Sequence, residues 1–343
     1  MHTPLAINNL RHCQPHPWHP SVVYCPEPWN GHRWWMAQTP FPPFQIAPYR
    51  DRYELPCIHY SDDGIHWNPI PCNPIDDIDI AMVEAHNYLS DPHLLIRGGT
   101  MECYYRLSLL KDHQLVDNKT ILMRKTSIDG FHWGIREIIA DLQTSNDVAI
   151  WGEQIISPAF IWNGNCYRCW YVDRSSYLST RRILMTTSED GSTWNTYTEC
   201  HLTGTPDIDP WHLDVQFYNN EYHMLLYDGW SLHWLSSSDG VDFRYIHHVL
   251  SPTQFFTDFY SDGLYRACSV KMEDCAWIYF SAKTDRQTSI GLMTTKDYCQ
   301  FTPVNGISQW KYLCTFVLPR LSVKNCKRLA KRCLRQIGLM PSV

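Results

Sequence analysis

Two pairs of an acid and a histidine, each pair separated by one residue, are the residues of this sequence best suited to chemistry. They are Asp91 with His93, and His212 with Asp214. Because alternate residues of a β-strand point to the same face, each pair would present a carboxylate and an imidazole together. Both groups can transfer protons and bind divalent metals. Two carboxylates brought to one axis repel each other unless something there uses them, so we expect Asp91 and Asp214 to be functional.

Other reactive residues stand at comparable places, where predicted strands begin. His19 opens an early strand, and Tyr265 with Arg266 opens a late one. Arg266 offers a forked donor to a carboxylate, sulfate or phosphate of a ligand, or could neutralise the aspartates. If the histidines converge, three of them could hold a divalent metal: His19, His93 and His212. Alternatively, any one of them could simply satisfy backbone groups where strands meet.

A repeated tetrad predicts the elements that position these residues. Ser-x-Asp-Gly, closed by an aromatic residue three positions after the Gly, occurs four times, and a fifth copy has Tyr298 in place of Gly. The copies begin at Ser61, Ser127, Ser188, Ser237 and Thr295. Asp-Gly between strand-like runs predicts a tight hairpin, since Gly accepts positive φ and the Asp side chain can bond the turn. Spacings of roughly 50 to 65 residues predict radial repetition.

The runs that surround each hairpin predict four antiparallel strands per repeat. Three runs rich in aromatic and β-branched residues precede each Asp-Gly turn, and one follows it. The sequence therefore predicts an all-β five-bladed β-propeller of four-stranded blades, with a β-sandwich as the alternative. The predicted innermost strands begin near residues 19–23, 91–95, 157–159, 212–215 and 265–267.

The C-terminal segment differs from the rest of the chain. We assign residues 1–317 to the propeller and 318–343 to a tail, which contains basic residues and no acid although the whole chain has a net charge of −6. Its apolar residues recur at helical spacing, which predicts a short basic amphipathic C-terminal helix. Such a helix could contact an anionic membrane surface or pack against the propeller.

Composition sets the expected environment. The 14 cysteines are scattered, and no run of about 20 apolar residues or secretory signal is visible. We therefore expect reduced thiols and a cytoplasmic protein, which residues 318–343 could hold at the inner membrane face as a peripheral protein. The acidic body and the absence of aromatics among the tail's basic residues argue against nucleic acid as a partner.

Several motifs together carry a resemblance to a known family. The hairpin motif, His19-Pro20-Ser21 and Ser90-Asp91-Pro92 resemble the five-bladed propellers of glycoside hydrolase families 43 and 32 and their relatives. Trp29-Asn30-Gly31 and Tyr53-Glu54-Leu55-Pro56 resemble, more specifically, a glycosidase-like propeller of polysaccharide-biosynthesis loci and phage structural proteins. The resemblance covers roughly residues 19–302 and implies an oligo- or polysaccharide substrate, such as a cell-surface polysaccharide or its precursor.

The resemblance implies three acids around one pocket, and only one of them is present. Asp91 matches the stabilising acid of blade two, but His19 stands where blade one should supply a base or nucleophile, and Ile156 where blade three should supply the acid Glu. His19 could act as a base. The nearest blade-three acid, Glu153, would reach the pocket only if its loop folds inward.

Three functions stay open on this sequence. The first is a carbohydrate-active enzyme that cleaves or transfers a glycosyl unit with Asp91, His19 and either Asp214 or Glu153. The second is a non-catalytic glycan-binding propeller, and the third is a metal-dependent enzyme that uses the axial histidines. In each case we expect the following residues to contact the substrate: Glu54, His93, His212, Tyr265, Arg266 and, by stacking on a sugar, Trp29 and Trp211.

Overall fold

A computed structural model describes residues 2–8, 16–40, 54–79, 81–82, 85, 87–111, 114–174, 181–253, 258–284 and 287–318. In this part of the chain, five antiparallel sheets follow one another in sequence order. Each is one blade of a five-bladed β-propeller, so the predicted fold is confirmed. Blade one contains β2 (Ser21–Trp29), β3 (His32–Gln38), β4 (Cys57–Ser61) and β5 (His66–Pro69). Blade two contains β6 (Tyr88–Arg97), β7 (Thr100–Lys111), β8 (Gln114–Ser127) and β9 (Glu137–Asp141).

The other three blades repeat this order. Blade three contains β10 (Ile156–Trp162), β11 (Tyr167–Asp173), β12 (Arg182–Ser188) and β13 (Thr198–Glu199). Blade four contains β15 (His212–Tyr218), β16 (Glu221–Tyr227), β17 (Leu232–Ser237) and β18 (Asp242–Leu250). Blade five contains β19 (Gly263–Lys271), β20 (Ala276–Lys283), β21 (Thr288–Thr295) and β22 (Phe301–Val304). The first strand of each blade lies closest to the propeller axis and contains the strand start that the sequence predicts.

Two short strands extend blades one and four to five strands, which the sequence did not predict. β1 (Ala6–Ile7) pairs in parallel with β5, and β14 (His201–Thr203) pairs in parallel with β18. The helix α1 (Ser145–Trp151) follows β9, and its N-cap Thr144 accepts a hydrogen bond from the amide of Asp147. Near the C-terminus, α2 (Gln309–Tyr312) continues into a π-helical turn, Leu313–Val317.

The same side-chain hydrogen bonds stabilise all five predicted turns. In the first, the Ser61 hydroxyl accepts from the amide of Gly64 at 2.9 Å, and Asp63 Oδ1 accepts from the amides of Ile65 and His66, each at 2.8 Å. The turns of the other blades repeat these bonds. Gly64 has φ +72°, and even Tyr298, in the fifth turn, adopts φ +60°. The tetrad therefore stabilises each turn by hydrogen bonds between residues of the turn itself.

The hydrophobic cores lie between blades and not within them. Each of the five clusters of buried side chains combines residues from two adjacent blades, and one of them joins blade five to blade one. Trp35, for example, is fully buried between blades one and two. Full burial of one large apolar side chain stabilises a fold by roughly 1.5–3 kcal/mol, so these contacts favour a closed ring.

Hydrogen bonds around the axis close the same ring. Five of them run from a backbone amide to a side chain of a neighbouring blade: Leu94 to Ser21 Oγ, Ser157 to Asp91 Oδ2, Leu213 to Ser157 Oγ, Ser269 to Asp214 Oδ2, and His19 to Ser281 Oγ. Each lies between 3.0 and 3.2 Å. Asp91 and Asp214 therefore each use one carboxylate oxygen to join blades.

The tail predicted to form a basic amphipathic helix falls outside the described residues, except for Leu318. Its contact with an anionic membrane and the cytoplasmic location therefore stay predictions. Among the helices of the described part of the chain, none has the length and apolar character needed to span a membrane.

Candidate active site at the propeller axis

Blades one, two and three present a residue with unusual backbone geometry at the same place, directly before a proline. His19, Asp91 and Ser157 have φ values of +54°, +53° and +53°. Non-glycine residues rarely adopt this left-handed region, and each instance costs on the order of 1–3 kcal/mol. Such strain persists where the surrounding structure requires a particular side-chain direction, and it is concentrated at functional sites.

β-Bulges accompany this geometry and change where the side chains point. The pairing register shifts between Ser90 and His93 in β6 and between Ile156 and Ala159 in β10. A bulge inserts unpaired residues and re-aims the side chains next to it. Consequently, Asp91 and His93 do not act as one pair on one strand face: they belong to two separate clusters along the axis.

The upper cluster consists of His19, Asp91 and His212, at the end of the axis where the inner strands begin. Asp91 Oδ2 accepts from Arg106 Nε at 2.6 Å and from the amide of Ser157 at 3.0 Å. Asp91 Oδ1 lies 3.9 Å from His19 Nε2 and 3.7 Å from His212 Nδ1. All three side chains are buried, yet these three atoms have no hydrogen-bond partner among the described residues.

These three atoms fit the ligand set of a divalent metal. They lie within 4.8 Å of one another, and two imidazole nitrogens with one carboxylate oxygen are a typical donor set for zinc or a similar ion. Their supports are also typical: His19 Nδ1 is 2.7 Å from Thr39 Oγ1, and Arg106 orients Asp91. The positive charges of Arg106 and Arg266 oppose a cation here, and the ionised carboxylate of Asp91 offsets them in part.

Burial and neighbouring charges set the protonation states of this cluster. Burial lowers the pKa of His19 to about 3 and holds that of His212 well below its usual range. Burial would raise the pKa of Asp91, but the Arg106 guanidinium and, after it, the neighbouring histidines and Arg266 together outweigh burial and keep this pKa well below the usual value. Glu54, whose Oε2 is 3.7 Å from His19 Nδ1, has its pKa raised to about 8 by burial and by Asp91. Neutral imidazoles beside an ionised Asp91 are the state that binds a metal.

An aromatic wall stands beside the upper cluster. The Tyr265 ring lies 4.2 Å from that of His212 and 5.2 Å from that of His19, and Trp18 stacks on it at 5.0 Å. Trp211 donates from Nε1 to the Tyr265 hydroxyl at 2.9 Å. Tyr265 and Trp211, both predicted substrate contacts, therefore lie beside the upper cluster, and their contact with a sugar stays a prediction. Trp18 was not among the predicted residues.

The lower cluster consists of His93 and Asp214, one step further along the axis. His93 Nδ1 and Asp214 Oδ1 are 4.0 Å apart. Burial and Arg266 lower the pKa of His93 to about 3, and burial raises that of Asp214 to about 6. Arg266 is fully buried and interacts with both Asp91 and Asp214. The structure thus separates His93 and Asp214 from the residues with which the sequence grouped them, and the metal-capable group includes Asp91 instead of His93.

Two other predicted residues lie outside both clusters. Glu153 follows α1, and its amide donates to Oδ1 of Asp173, the last residue of β11. Trp29 ends β2 at the opposite end of the strand, where it packs edge-on against Trp35 and donates to the carbonyl oxygen of Gly99. Ile156, in the place of the expected blade-three Glu, packs against an apolar interblade core.

Arg106 and Ser157 contact Asp91 and were missed by sequence reasoning. Arg106 lies in β7, within a run of aromatic and aliphatic residues, and is only 8% exposed. A buried arginine in a strand needs an acidic partner, so this interruption of an apolar run was a usable signal. Ser157 could have been found because Ser157-Pro158 repeats the residue-proline pattern of Asp91-Pro92.

Comparison with known proteins supports a glycoside hydrolase-like propeller fold. No family model matches the chain. The A type blood N-acetyl-α-D-galactosamine deacetylase of Flavonifractor plautii is 25% identical to this chain over a match that covers 73% of it. The match spans 37% of the length of that deacetylase.

Solved structures give the same picture of the fold. An N-acetylgalactosamine deacetylase from F. plautii, crystallised with blood group B trisaccharide, superposes with a TM-score of 0.67 and 20% identity, over 86% of this chain and 94% of that one. RS223 β-xylosidase superposes with a TM-score of 0.56 and 11% identity, over 85% and 97% of the two chains. At these identities the likeness concerns the fold, so function must be argued from the site.

Proposed function

We propose that this protein is a metal-dependent carbohydrate hydrolase that removes an acyl group, in the first instance the N-acetyl group of an acetylated amino sugar. The observation that carries the proposal is the upper cluster, with three unpartnered ligand atoms within 4.8 Å of one another. The absence of an acid at the blade-three position argues against the two-carboxylate division of labour used by glycosidases. The relative named as an N-acetylgalactosamine deacetylase supports the choice of acyl group.

In this proposal each residue has a defined task. Atom Nε2 of His19, Oδ1 of Asp91 and Nδ1 of His212 hold a divalent cation. Once bound, that cation supplies a Lewis acid for the acyl carbonyl and for a water molecule. Thr39 and Arg106 keep two of the ligand side chains in their orientations.

The remaining residues handle protons and the sugar. Hydrolysis adds water across the amide: hydroxide goes to the acyl carbon, and the proton goes to the leaving amine, which gives acetate and a free amino sugar. Glu54, next to His19, carries a proton at neutral pH because its pKa is raised to about 8; a cation held by the upper cluster would lower this pKa and let Glu54 take the proton from water and return it to the amine nitrogen. Tyr265 and Trp211 form the wall on which the sugar ring lies.

The test is an activity screen with defined acetylated sugars. Purified protein, supplied with zinc, manganese or calcium, is incubated with N-acetylated and O-acetylated methyl glycosides, and the products are identified by mass spectrometry. We expect the loss of one acetyl group, abolished by a chelator and by Asp91→Asn and His212→Phe. Exposed residues of the same types, changed in His201→Ala and Asp274→Asn, serve as controls that keep full activity.

Two results would overturn the proposal. Release of a sugar from oligosaccharides without loss of acetyl groups would make the protein a glycosidase. Binding of a glycan that emerges unchanged under every metal condition would make it a glycan-binding propeller.

A further inference from the structure

A cavity occupies the end of the axis that lies away from the upper cluster. Its volume is about 460 Å³, which lies within the range of ligand pockets. His93 and Asp214 are among its lining residues, together with side chains from all five inner strands. Of the described residues that line it, none belongs to the upper cluster.

The polar end of this cavity contains two hydrogen-bond acceptors that receive no donor from the described residues. His93 Nε2 is 2.8 Å from the carbonyl oxygen of Phe160 and must donate to it, so a neutral imidazole keeps Nδ1 as an acceptor. Asp214 Oδ2 already accepts from the amide of Ser269 at 3.0 Å and from Gln216 Nε2 at 3.3 Å. His93 Nδ1 and Asp214 Oδ1, 4.0 Å apart, have no partner in the described part of the chain.

Two buried acceptors side by side call for a ligand that donates twice. Leaving them unsatisfied costs free energy, and a bound group that donates one hydrogen bond to each recovers it. Two adjacent hydroxyl groups of a sugar do so without adding charge. An ammonium group also donates twice, but Lys271 lines the cavity and the Arg266 guanidinium interacts with Asp214, so a second cation is disfavoured.

The walls of the cavity also suit a sugar. Aromatic side chains line it near the surface, from Tyr24, Trp162 and Phe217, and Phe217 is 40% exposed. Aromatic faces pack against the C–H groups of a sugar ring, while its hydroxyls reach polar groups. Val23 and Leu95 are also among the residues that line the cavity.

We propose that this lower cavity is a second binding site, specific for a neutral sugar whose vicinal diol donates to His93 Nδ1 and Asp214 Oδ1. It lies at the opposite end of the axis from the proposed catalytic cluster. Its existence does not depend on the reaction catalysed there, because the argument uses only the two lower acceptors and the cavity.

The test measures binding of the methyl glycosides of galactose, glucose and mannose to the full chain, by saturation-transfer NMR and calorimetry. The His212→Phe background removes a proposed ligand of the upper cluster and keeps Asp91, with which Arg266 interacts as it does with Asp214, so lower-site binding should be unchanged. Asp214→Asn replaces the acceptor Oδ1 with an amide donor, so affinity for at least one glycoside should fall by tenfold or more. Val23→Phe enlarges a residue that lines the cavity and should have the same effect.

A structural readout completes the test. In crystals soaked with the glycoside that binds, two hydroxyl oxygens should lie at hydrogen-bond distance from His93 Nδ1 and Asp214 Oδ1. Deoxy analogues that lack one of the two hydroxyls should bind at least tenfold more weakly. The proposal is overturned if none of the three glycosides binds in the His212→Phe background, if Asp214→Asn and Val23→Phe both bind as the parent does, or if soaked crystals show only water in the cavity.

Discussion

The hairpin turns and the propeller axis use polar residues in opposite ways. In the turns a Ser (Thr in the fifth) and an Asp recur, and their oxygens accept hydrogen bonds from adjacent amides in every blade. At the axis the five corresponding positions carry four different residue types: His19, Asp91, Ser157, His212 and Tyr265. Several of their polar atoms are buried and unpartnered among the described residues.

This difference separates stability from function. A motif that satisfies its own backbone stabilises each blade in the same way, so it can be repeated. Buried acceptors and imidazoles without partners cost stability and persist where a ligand or a reaction uses them. Variants of the turns should therefore lower stability and spare activity, whereas replacing an upper-cluster side chain that makes no hydrogen bond to a described residue, such as His212, should lower activity and spare stability.

The largest effect is expected at the axis, from His212→Phe. Neither ring nitrogen of His212 has a partner within the described ranges, so phenylalanine keeps the packing and removes two unsatisfied groups. Activity should fall by at least about a hundredfold, while the unfolding midpoint in denaturant stays equal to wild type or rises. Steady-state kinetics and urea denaturation on the same preparation measure both, and a clear loss of stability would contradict the contrast.

The next effect belongs to a turn glycine that packs between blades. Gly130 has φ +79°, and a Cβ atom there would lie 2.4 Å from the Trp35 ring. Gly130→Ala should lower the free energy of unfolding by about 2–4 kcal/mol, because backbone strain and overpacking add. Activity per folded molecule should not change.

A matched glycine isolates the packing contribution. Gly31 also has positive φ, +88°, but nothing lies within 4 Å of its Cβ position. Gly31→Ala should therefore cost only about 1 kcal/mol, from the backbone alone. Equal losses in the two variants would show that the turn does not act as an interblade contact.

A smaller loss is expected from the hydroxyl that organises one turn. Ser127 Oγ accepts from the amide of Gly130 at 2.8 Å and donates to the carbonyl oxygen of His132 at 2.6 Å. Ser127→Ala removes both bonds and should lower the free energy of unfolding by about 1–2 kcal/mol. Thermal and urea unfolding measure this loss, with Ser127→Thr as the variant expected to restore most of it.

The smallest effect is a pH dependence that comes from Asp63. Partial burial alone would raise the Asp63 pKa, but hydrogen bonds from His66 and Ile65 outweigh it and lower the pKa to about 2. A pKa lower in the folded than in the unfolded state stabilises the fold above pH 4, and this contribution disappears as the pH falls towards 2. Urea unfolding between pH 5 and pH 2.5 should show a shallower decline for Asp63→Asn than for wild type. Parallel curves would contradict the assignment.

Local chemistry explains what the sequence could predict. The Asp-Gly turns depend on contacts within a few residues, so five repeats sufficed to predict five blades and their inner strands. The same holds for the residue-proline starts, which correctly indicated His19 and Asp91 as residues of strand openings.

The grouping of the axial residues could not be predicted in the same way. Period-two alternation puts Asp91 and His93 on one face, but the bulge in β6 and the cross-blade bond from the Ser157 amide assign them to different clusters. Both features depend on a neighbouring blade and leave no mark in the strand itself. The position of the Glu153 loop depends on another strand as well, since its amide donates to Asp173 Oδ1, and the role of Glu153 as an acid stays a prediction.

Anomalous diffraction from crystals of the zinc- or manganese-supplied protein tests the central claim most directly. We predict one strong peak within about 2.0–2.3 Å of His19 Nε2, Asp91 Oδ1 and His212 Nδ1, absent in His212→Phe. A fully active protein whose crystals show only water among these three atoms would contradict the account.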